Sequence, residues 1–407
     1  MTAINATPAN FKQDVMVISL VGVAHGISHF FHMILAPLFP WIKEAFELSY
    51  AELGLLMAVF FVISGIGQAL SGFIVDKLGA RTVLFFGIAC LGISALTLSM
   101  AQNYVMLLSG SALAGVGNSV FHPSDYTLLN KRVSMQRLGY AFSVHGISGN
   151  LGWAAAPVFL VTIAQLASWR TALFCAAFLP LIVLLILFIY RDVLQTEVHP
   201  AHGTDHADKP AEGSMDFMKI PAVWMCFGFF FMISMALGGI QSFSSASLRD
   251  LYGMSLLSAT MAYTMYMLAS AGGMLWGGYL ASKTSNHDRT ITLAFSFAGV
   301  FSLLLAAGWA TAPVAIILMA AIGFGSGVAG PSRDLLIRAA APKNATGRVY
   351  GVVYSGLDSG LALAPLLFGA IMDAHHPAWL FVCVGFFQVL AILTAVNVGT
   401  KTRALAA

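Results

Sequence analysis

Ionisable side chains stand inside long apolar segments of this sequence, where they are costly and are therefore candidates for function. The first apolar segment carries His25, His29 and His32 at spacings of four and three residues. Those spacings place all three imidazoles on one face of a helix. Later segments add His122, Asp125 and His145. Because histidine gains or loses a proton near neutral pH, the set predicts a path for protons or a site for an anion.

A second group of polar residues lies further along the chain. Arg333 and Asp334 fall in the tenth apolar segment, and Asp358 falls in the eleventh. The candidates for gaining and losing a proton are Asp125, Asp358 and His32. The candidate substrate contacts are His25, His29, His122, His145, Arg333, Asn150, Gln241 and Tyr354. The candidate residues include several histidines and one arginine but few acids. Since a buried charge needs a partner, this balance favours an anionic or strongly hydrogen-bonding small molecule as the ligand over a bare cation.

Each of these residues has an alternative, structural role. The histidines could pack between helices with hydrogen bonds to backbone carbonyls, and His122 could pack beside Pro123. Asp125 and Asp334 could pair with basic residues near the membrane surface, and Arg333 could extend its side chain to that surface. A histidine pair at i and i+4 can also bind a metal ion. Because no carboxylate or thiolate lies nearby in the sequence, no metal site is predicted, nor any cofactor or catalytic residue.

The composition predicts that helices in a lipid bilayer position these residues. The 407 residues are 58% hydrophobic and only 9% charged, against about 25% charged in an ordinary soluble domain. Each crossing of the bilayer takes roughly 20 apolar residues, and the apolar runs here are long and continuous, which favours helices over a barrel. The four cysteines are widely spaced inside these runs and indicate neither a disulfide framework nor a zinc motif. The net charge of +3 calls for no nucleic-acid partner.

Twelve transmembrane helices are predicted. They lie near residues 15–38, 51–75, 82–100, 104–129, 138–163, 170–190, 218–245, 256–280, 290–309, 313–338, 349–372 and 377–398. The segment 191–217 is rich in His, Asp, Pro and Gly and is predicted to be a cytoplasmic linker. The predicted domains are therefore an N-terminal six-helix bundle, residues 1–190, and a C-terminal six-helix bundle, residues 218–407.

Lysine and arginine concentrate on the cytoplasmic side of membrane proteins. With both termini in the cytoplasm, most of the 20 basic residues fall in cytoplasmic segments, and only Lys43, Arg170 and Arg249 fall outside. The sequence therefore predicts a multi-pass protein of the inner, cytoplasmic cell membrane with both termini in the cytoplasm.

The two halves repeat each other. Pro123 and Ser124 recur as Pro331 and Ser332, an offset of 208 residues. The same offset relates Asn150 to Asp358, Gly152 to Gly360 and Pro157 to Pro365. Internal repeats of this kind are typical of transporters, and they predict an all-α fold of two pseudo-symmetric six-helix bundles. The glycines and prolines of the fifth and eleventh segments also predict hinges and contacts between the halves.

The loop after the second segment resembles the signature loop of the major facilitator superfamily, Gly-x-x-x-Asp-Arg/Lys-x-Gly-x-Arg. Its residues here are Gly72, Asp76, Lys77, Gly79 and Arg81. The acid and the bases can form a charge cluster that latches helix ends in one conformation, Gly72 allows close helix approach, and Gly79 permits a tight turn.

Within that superfamily the sequence most resembles the fosmidomycin-resistance group. The resemblance rests on Ser119–Pro123 in the fourth segment and on Gly149–Gly152, leading to Pro157, in the fifth. It implies a monomeric secondary active transporter that works by alternating access, with spans 1, 4, 7 and 10 lining the central cavity. It further implies proton-coupled efflux, by antiport, of a small polar or phosphonate-like molecule, as in drug resistance.

Two alternatives to efflux remain open. One is a proton-coupled importer of an organic anion or metal chelate, because the direction of transport cannot be inferred from the residues. A more distant one is a membrane enzyme or sensor, which would need a nucleophile, a metal motif or a soluble signalling domain. In either transport hypothesis the expected partners are a small-molecule substrate, protons and the lipid bilayer, without nucleic acid.

Overall fold

The computed structural model describes residues 11–195, 221–284, 286–340 and 346–406, and these residues form helices and short connections without any strand. The first half contains α1 Phe11–His32, α2 Phe39–Phe46, α3 Tyr50–Leu78, α4 Ala80–Ser99, α5 Tyr104–Asn118, α6 Phe121–Arg132, α7 Leu138–Leu166 and α8 Trp169–Ile189. The second half contains α9 Pro221–Tyr252, α10 Leu256–Lys283, α11 His287–Ala306, α12 Ala312–Ala340, α13 Thr346–Asp373 and α14 Pro377–Ala406.

These helices make twelve membrane segments, because two segments are interrupted. A short 3₁₀ helix, Ala36–Leu38, joins α1 to α2, and α5 and α6 follow each other closely. In the described chain, eleven segments are long and apolar enough to cross a bilayer. The remaining one is α10, which is 28 residues long but whose many Ser, Thr, Tyr and Gly residues lower its hydropathy. The prediction of an all-α membrane protein with twelve segments is confirmed.

The break between α5 and α6 follows from Pro123. Proline has no backbone N–H, so it leaves the carbonyl four residues earlier without its helical partner. That carbonyl belongs to Ser119, and it accepts a hydrogen bond of 2.9 Å from the Ser71 hydroxyl of α3. The predicted continuous helix 104–129 is therefore wrong at Ser119–Val120, and the packing of α3 compensates the lost bond.

Equivalent helices in the two halves pack in equivalent ways. Helix α7 packs on α1, and α13 packs on α9. A Cβ added to Gly152 would collide with the backbone of Gly26, while one added to Gly360 would lie 2.7 Å from the Ser234 Cβ. Gly26 and Ser234 are themselves 208 residues apart, so the offset found in the sequence also relates the helix contacts.

The halves meet along two pairs of helices, α3 with α13 and α7 with α10. Small residues allow the close approach, as a Cβ on Gly54 would collide with the Pro365 carbonyl. At the end predicted to face outside, the Asp373 carboxylate accepts hydrogen bonds from the backbone N–H groups of Tyr50, at 2.7 Å, and Ala51, at 2.8 Å. Since these are the first two residues of α3, an acid of one half caps a helix of the other.

Candidate functional site

A buried carboxylate lies between two of the predicted histidines. Oδ2 of Asp125, on α6, is 3.2 Å from Nδ1 of His25 on α1 and 3.1 Å from Nε2 of His145 on α7. Asp125 is 0% exposed, His25 2% and His145 4%. The His145 ring donates a hydrogen bond to the carboxylate, whereas His25 Nδ1 has no hydrogen-bond partner despite the short distance.

The imidazoles of three helices lie against one another around this carboxylate. The ring centroids of His25 and His145 are stacked 3.5 Å apart. His29 lies 4.3 Å and His122 lies 5.4 Å from the His25 centroid. We call these five residues, His25, His29, His122, Asp125 and His145, the histidine cluster. The structure thus brings together five of the predicted residues, from spans 1, 4 and 5.

Counting the helical rise along untilted spans places His25 roughly 7–10 Å farther from the cytoplasm than His122 and His145. The ring contacts show that this expectation is wrong. The first membrane segment extends from Phe11 to Phe46 rather than from residue 15 to 38. His25 lies on the N-terminal side of the centre of this segment, and its ring lies against that of His145.

His32 belongs to a different polar group. Its Nε2 donates to Oδ1 of Asn118 over 3.0 Å, the same atom that accepts from the Ser28 hydroxyl at 2.5 Å. The Asn118 amide donates to the Ser64 hydroxyl at 2.7 Å. His32 therefore contacts the cluster only through the His29 ring, at 4.7 Å between centroids.

Three partners of the predicted residues were missed at the sequence level. Gln68 of α3 accepts a 2.7 Å hydrogen bond from His122 Nδ1, the Trp153 ring stacks 4.3 Å from His29, and Asn118 holds His32. Gln68 and Asn118 could have been found, because uncharged amides inside apolar spans are also polar residues in the membrane.

Other predicted residues lie where the halves meet. Asn150 donates from its amide to Met274 Sδ of α10 at 2.9 Å. Gln241 and Tyr263 line a small cavity between the halves beside Pro157, and neither amide atom of Gln241 has a hydrogen-bond partner there. Asp358 packs on α3, where a Cβ added to Gly65 would lie 3.1 Å from the Asp358 Cβ.

Arg333 is not part of the cluster. The Arg333 guanidinium lies over the Phe230 ring, 5.0 Å from its centroid. The side chains of Asp334 and Tyr354 lie outside the described residues, as does most of the linker 191–217.

The signature loop adopts part of the predicted geometry. Gly79 has a φ of 82°, as a tight turn requires, and Arg81 donates to the backbone carbonyl of Arg191 at 3.1 Å. Asp76 and Lys77 are exposed. No atom lies within 4 Å of a Cβ added to Gly72, so the close helix approach expected at Gly72 is wrong in this conformation.

The cluster has the atoms that metal ions bind. Two groups of side chains each offer three ligand atoms within 4.8 Å of one another. One group is His25, Asp125 and His145, and the other is His25, His29 and His122. The carboxylate that the sequence lacked near His25 is supplied by α6, a hundred residues away. The arrangement can therefore exchange protons, bind an anion through ring N–H groups, or hold a cation between carboxylate and imidazoles.

Comparison with known proteins is consistent with the fold. The family model of the Major Facilitator Superfamily matches residues 21–365. The fosmidomycin resistance protein of Escherichia coli (strain K12) is 25% identical over 387 residues, which cover 93% of this chain and 91% of that protein. The uncharacterized MFS-type transporter YfnC of Bacillus subtilis (strain 168) is 23% identical over 395 residues, with the same coverages.

More distant similarities are shorter or structural. The probable nitrate transporter NarT of Staphylococcus aureus (strain JH9) is 24% identical over 192 residues, 47% of this chain and 48% of that protein. A crystal structure of a bacterial homologue of the human lysosomal transporter Spinster, inward-facing and unoccupied, aligns with a TM-score of 0.71 at 14% identity. It covers 97% of this chain and 98% of that one.

Proposed function

The chain belongs to the Major Facilitator Superfamily and is a multi-pass membrane transporter rather than an enzyme, and we propose that it exports a small polar anion in exchange for protons. Transport occurs by alternating access, in which the two halves move about a site between them. The N-terminal half is residues 1–190, the linker is 191–217 and the C-terminal half is 218–407.

The observation that carries the proposal is the histidine cluster. Four imidazoles surround one carboxylate, so ring N–H donors outnumber acidic acceptors. Such donors favour a negatively charged ligand, since charge-assisted hydrogen bonds to anions are the stronger ones. Asn150 and Gln241 supply neutral amides where the halves meet. The relative named for fosmidomycin resistance favours export.

Asp358 carries the coupling proton in this proposal. Its carboxylate lies on α13 where that helix crosses α3 at Gly65, so relative motion of the halves would change its surroundings. No basic side chain of the described residues forms an ion pair with it. The charged residues of α3 and α9 that the structure describes lie at the helix ends: Glu52, Asp76, Lys77, Arg249 and Asp250. Asp125 and His32 stay predictions from the sequence.

The alternative is import of a small anion. The similarity to a probable nitrate transporter favours an anionic substrate and gives no reason to prefer export, although it spans less than half of either chain. Both directions use the same cavity, so accumulation of labelled anions in cells with and without the gene separates them.

Reconstituted vesicles test the coupling. Fosmidomycin and nitrate serve as probes, each with and without an imposed pH gradient. We expect a gradient to drive flux through the unmodified protein and not through Asp358→Asn. Asp192→Asn is the matched control, because that acid is surface-exposed, with a side chain that is 87% exposed. Flux that ignores the gradient contradicts proton coupling.

Binding tests the anion site separately. A ligand that binds the native protein raises its apparent stability, by about 2.7 kcal/mol at a hundredfold excess over Kd. We expect phosphonates, phosphate or carboxylates to stabilise the purified protein, and cations of similar size not to do so. Anion binding that survives His25→Ala, His122→Ala and Arg333→Ala in folded protein contradicts the proposed site.

A further inference from the structure

Two pairs of ligand atoms in the histidine cluster lie close to the spacing found in a metal site. Metal–ligand distances of about 2.0–2.2 Å at tetrahedral angles place neighbouring ligand atoms roughly 3.3–3.5 Å apart. Asp125 Oδ2 lies 3.2 Å from His25 Nδ1 and 3.1 Å from His145 Nε2. These three side chains come from three helices, so a cation at their centre would tie α1, α6 and α7 together.

Hydrogen bonding alone leaves this group incomplete. His25 Nδ1 faces the carboxylate without forming a hydrogen bond, and Asp125 Oδ1 and His29 Nδ1 are also buried without partners. Asp125 has no exposed surface. Buried polar atoms of this kind are normally satisfied by hydrogen bonds, water or an ion. A cation among them would use the lone pairs that the protein leaves free.

We infer that His25, Asp125 and His145 bind a divalent transition-metal ion. Imidazole and carboxylate together suit zinc, cobalt or nickel, whereas calcium and magnesium prefer oxygen ligands alone. Both sets of three candidate ligands share His25, which makes it the central ligand. The ion displaces the proton from any nitrogen it binds, so binding releases protons.

The ion would also give the site its positive charge. A coordination position left open by three protein ligands can take an oxygen of an anionic substrate. This role deepens the proposed function and rests on it. Binding of the ion itself does not, because it can be measured without any substrate.

The test uses full-length protein purified without a histidine tag and stripped with a chelator. All variants are made in a protein in which the linker histidines are replaced by glutamine, because these side chains could also bind zinc. The replaced residues are His199, His202 and His206. Calorimetry with zinc alone should show one site per chain. We expect Asp125→Asn and His145→Gln each to weaken binding about tenfold or more, and His32→Gln, outside both ligand groups, to leave it unchanged.

A second variant keeps the test decisive if those proteins do not fold. His145→Cys retains a ligand, and its cobalt complex should show the thiolate-to-cobalt absorption that the unmodified protein lacks. Absence of that absorption in folded, cobalt-saturated His145→Cys overturns the inference, as does zinc binding that Asp125→Asn and His145→Gln leave unchanged. If the protein binds zinc but anions do not stabilise it, the proposed substrate site is refuted and the metal site stands. If anions stabilise the protein but zinc does not bind, the metal site alone is refuted.

Discussion

Replacing Gly149 by alanine tests whether α7 positions the histidine cluster by close contact. A Cβ at this position would lie 2.5 Å from His29 Nδ1, 2.6 Å from His29 Cε1 and 3.2 Å from His25 Nε2. Since nonbonded carbon and nitrogen atoms rarely approach closer than about 3.4 Å, the His29 ring must move by about 1 Å. That movement disturbs its stacking on Trp153.

The expected loss of stability combines two opposing effects. Overpacking a tight site costs about 1–3 kcal/mol, while alanine in place of glycine in a helix contributes up to about 1 kcal/mol in the other direction. We therefore expect Gly149→Ala to destabilise by about 1–2 kcal/mol. In a His29→Ala background the two closest contacts are gone and the 3.2 Å approach to His25 Nε2 remains, so the same change should be close to neutral.

Thermal unfolding in detergent measures both effects, and Gly146→Ala is the matched control. Gly146 lies on the same helix, and the nearest atom to its added Cβ is Met274 Cε at 3.9 Å, so we expect no loss there. The double change should show a coupling of at least about 1 kcal/mol between positions 149 and 29. The close contact between Gly149 and the His29 ring would be refuted by either of two results. One is an equal effect of Gly146→Ala and Gly149→Ala, and the other is additivity of Gly149→Ala and His29→Ala.

Two further changes probe contacts outside the cluster. Asp373→Ala removes the cap that one half places on α3 of the other. We expect a loss of stability of about 1 kcal/mol and faster labelling of a cysteine introduced in place of Tyr50, with Asp192→Ala as the control. Ser71→Ala leaves the Ser119 carbonyl buried without its partner. We expect a loss of stability of about 1–3 kcal/mol in thermal unfolding, most of which Ser71→Thr should restore. An unchanged unfolding midpoint would contradict the role given to this hydrogen bond.

The sequence predicted the helices and their repetition because those depend on local composition. Apolar runs of about 20 residues define membrane segments, and Gly152 with Gly360 marked equivalent positions that the structure also relates through their contacts. The superfamily followed from the loop of Gly72–Arg81. These features need no knowledge of which helices are neighbours.

The arrangement of the site could not be predicted in the same way. A list of polar residues in the membrane included both His25 and Asp125, yet nothing in one sequence shows that their side chains meet. Depth counted along straight spans failed for His25, whose ring lies against that of His145 on another helix. The same list omitted Gln68, although it included the amides Asn150 and Gln241. Tertiary contacts determined these outcomes.

The repeat also shows a difference in charge between the halves. At the offset of 208 residues, Asp125 in the first half corresponds to Arg333 in the second. The acid lies among imidazoles, whereas the arginine lies over Phe230. Since Pro123 and Ser124 are kept at the matching positions 331 and 332, the backbone framework is shared and the charge is reversed. The histidine cluster is therefore built from side chains of the first half, while Asn150, Gln241 and Asp358 lie where the two halves meet.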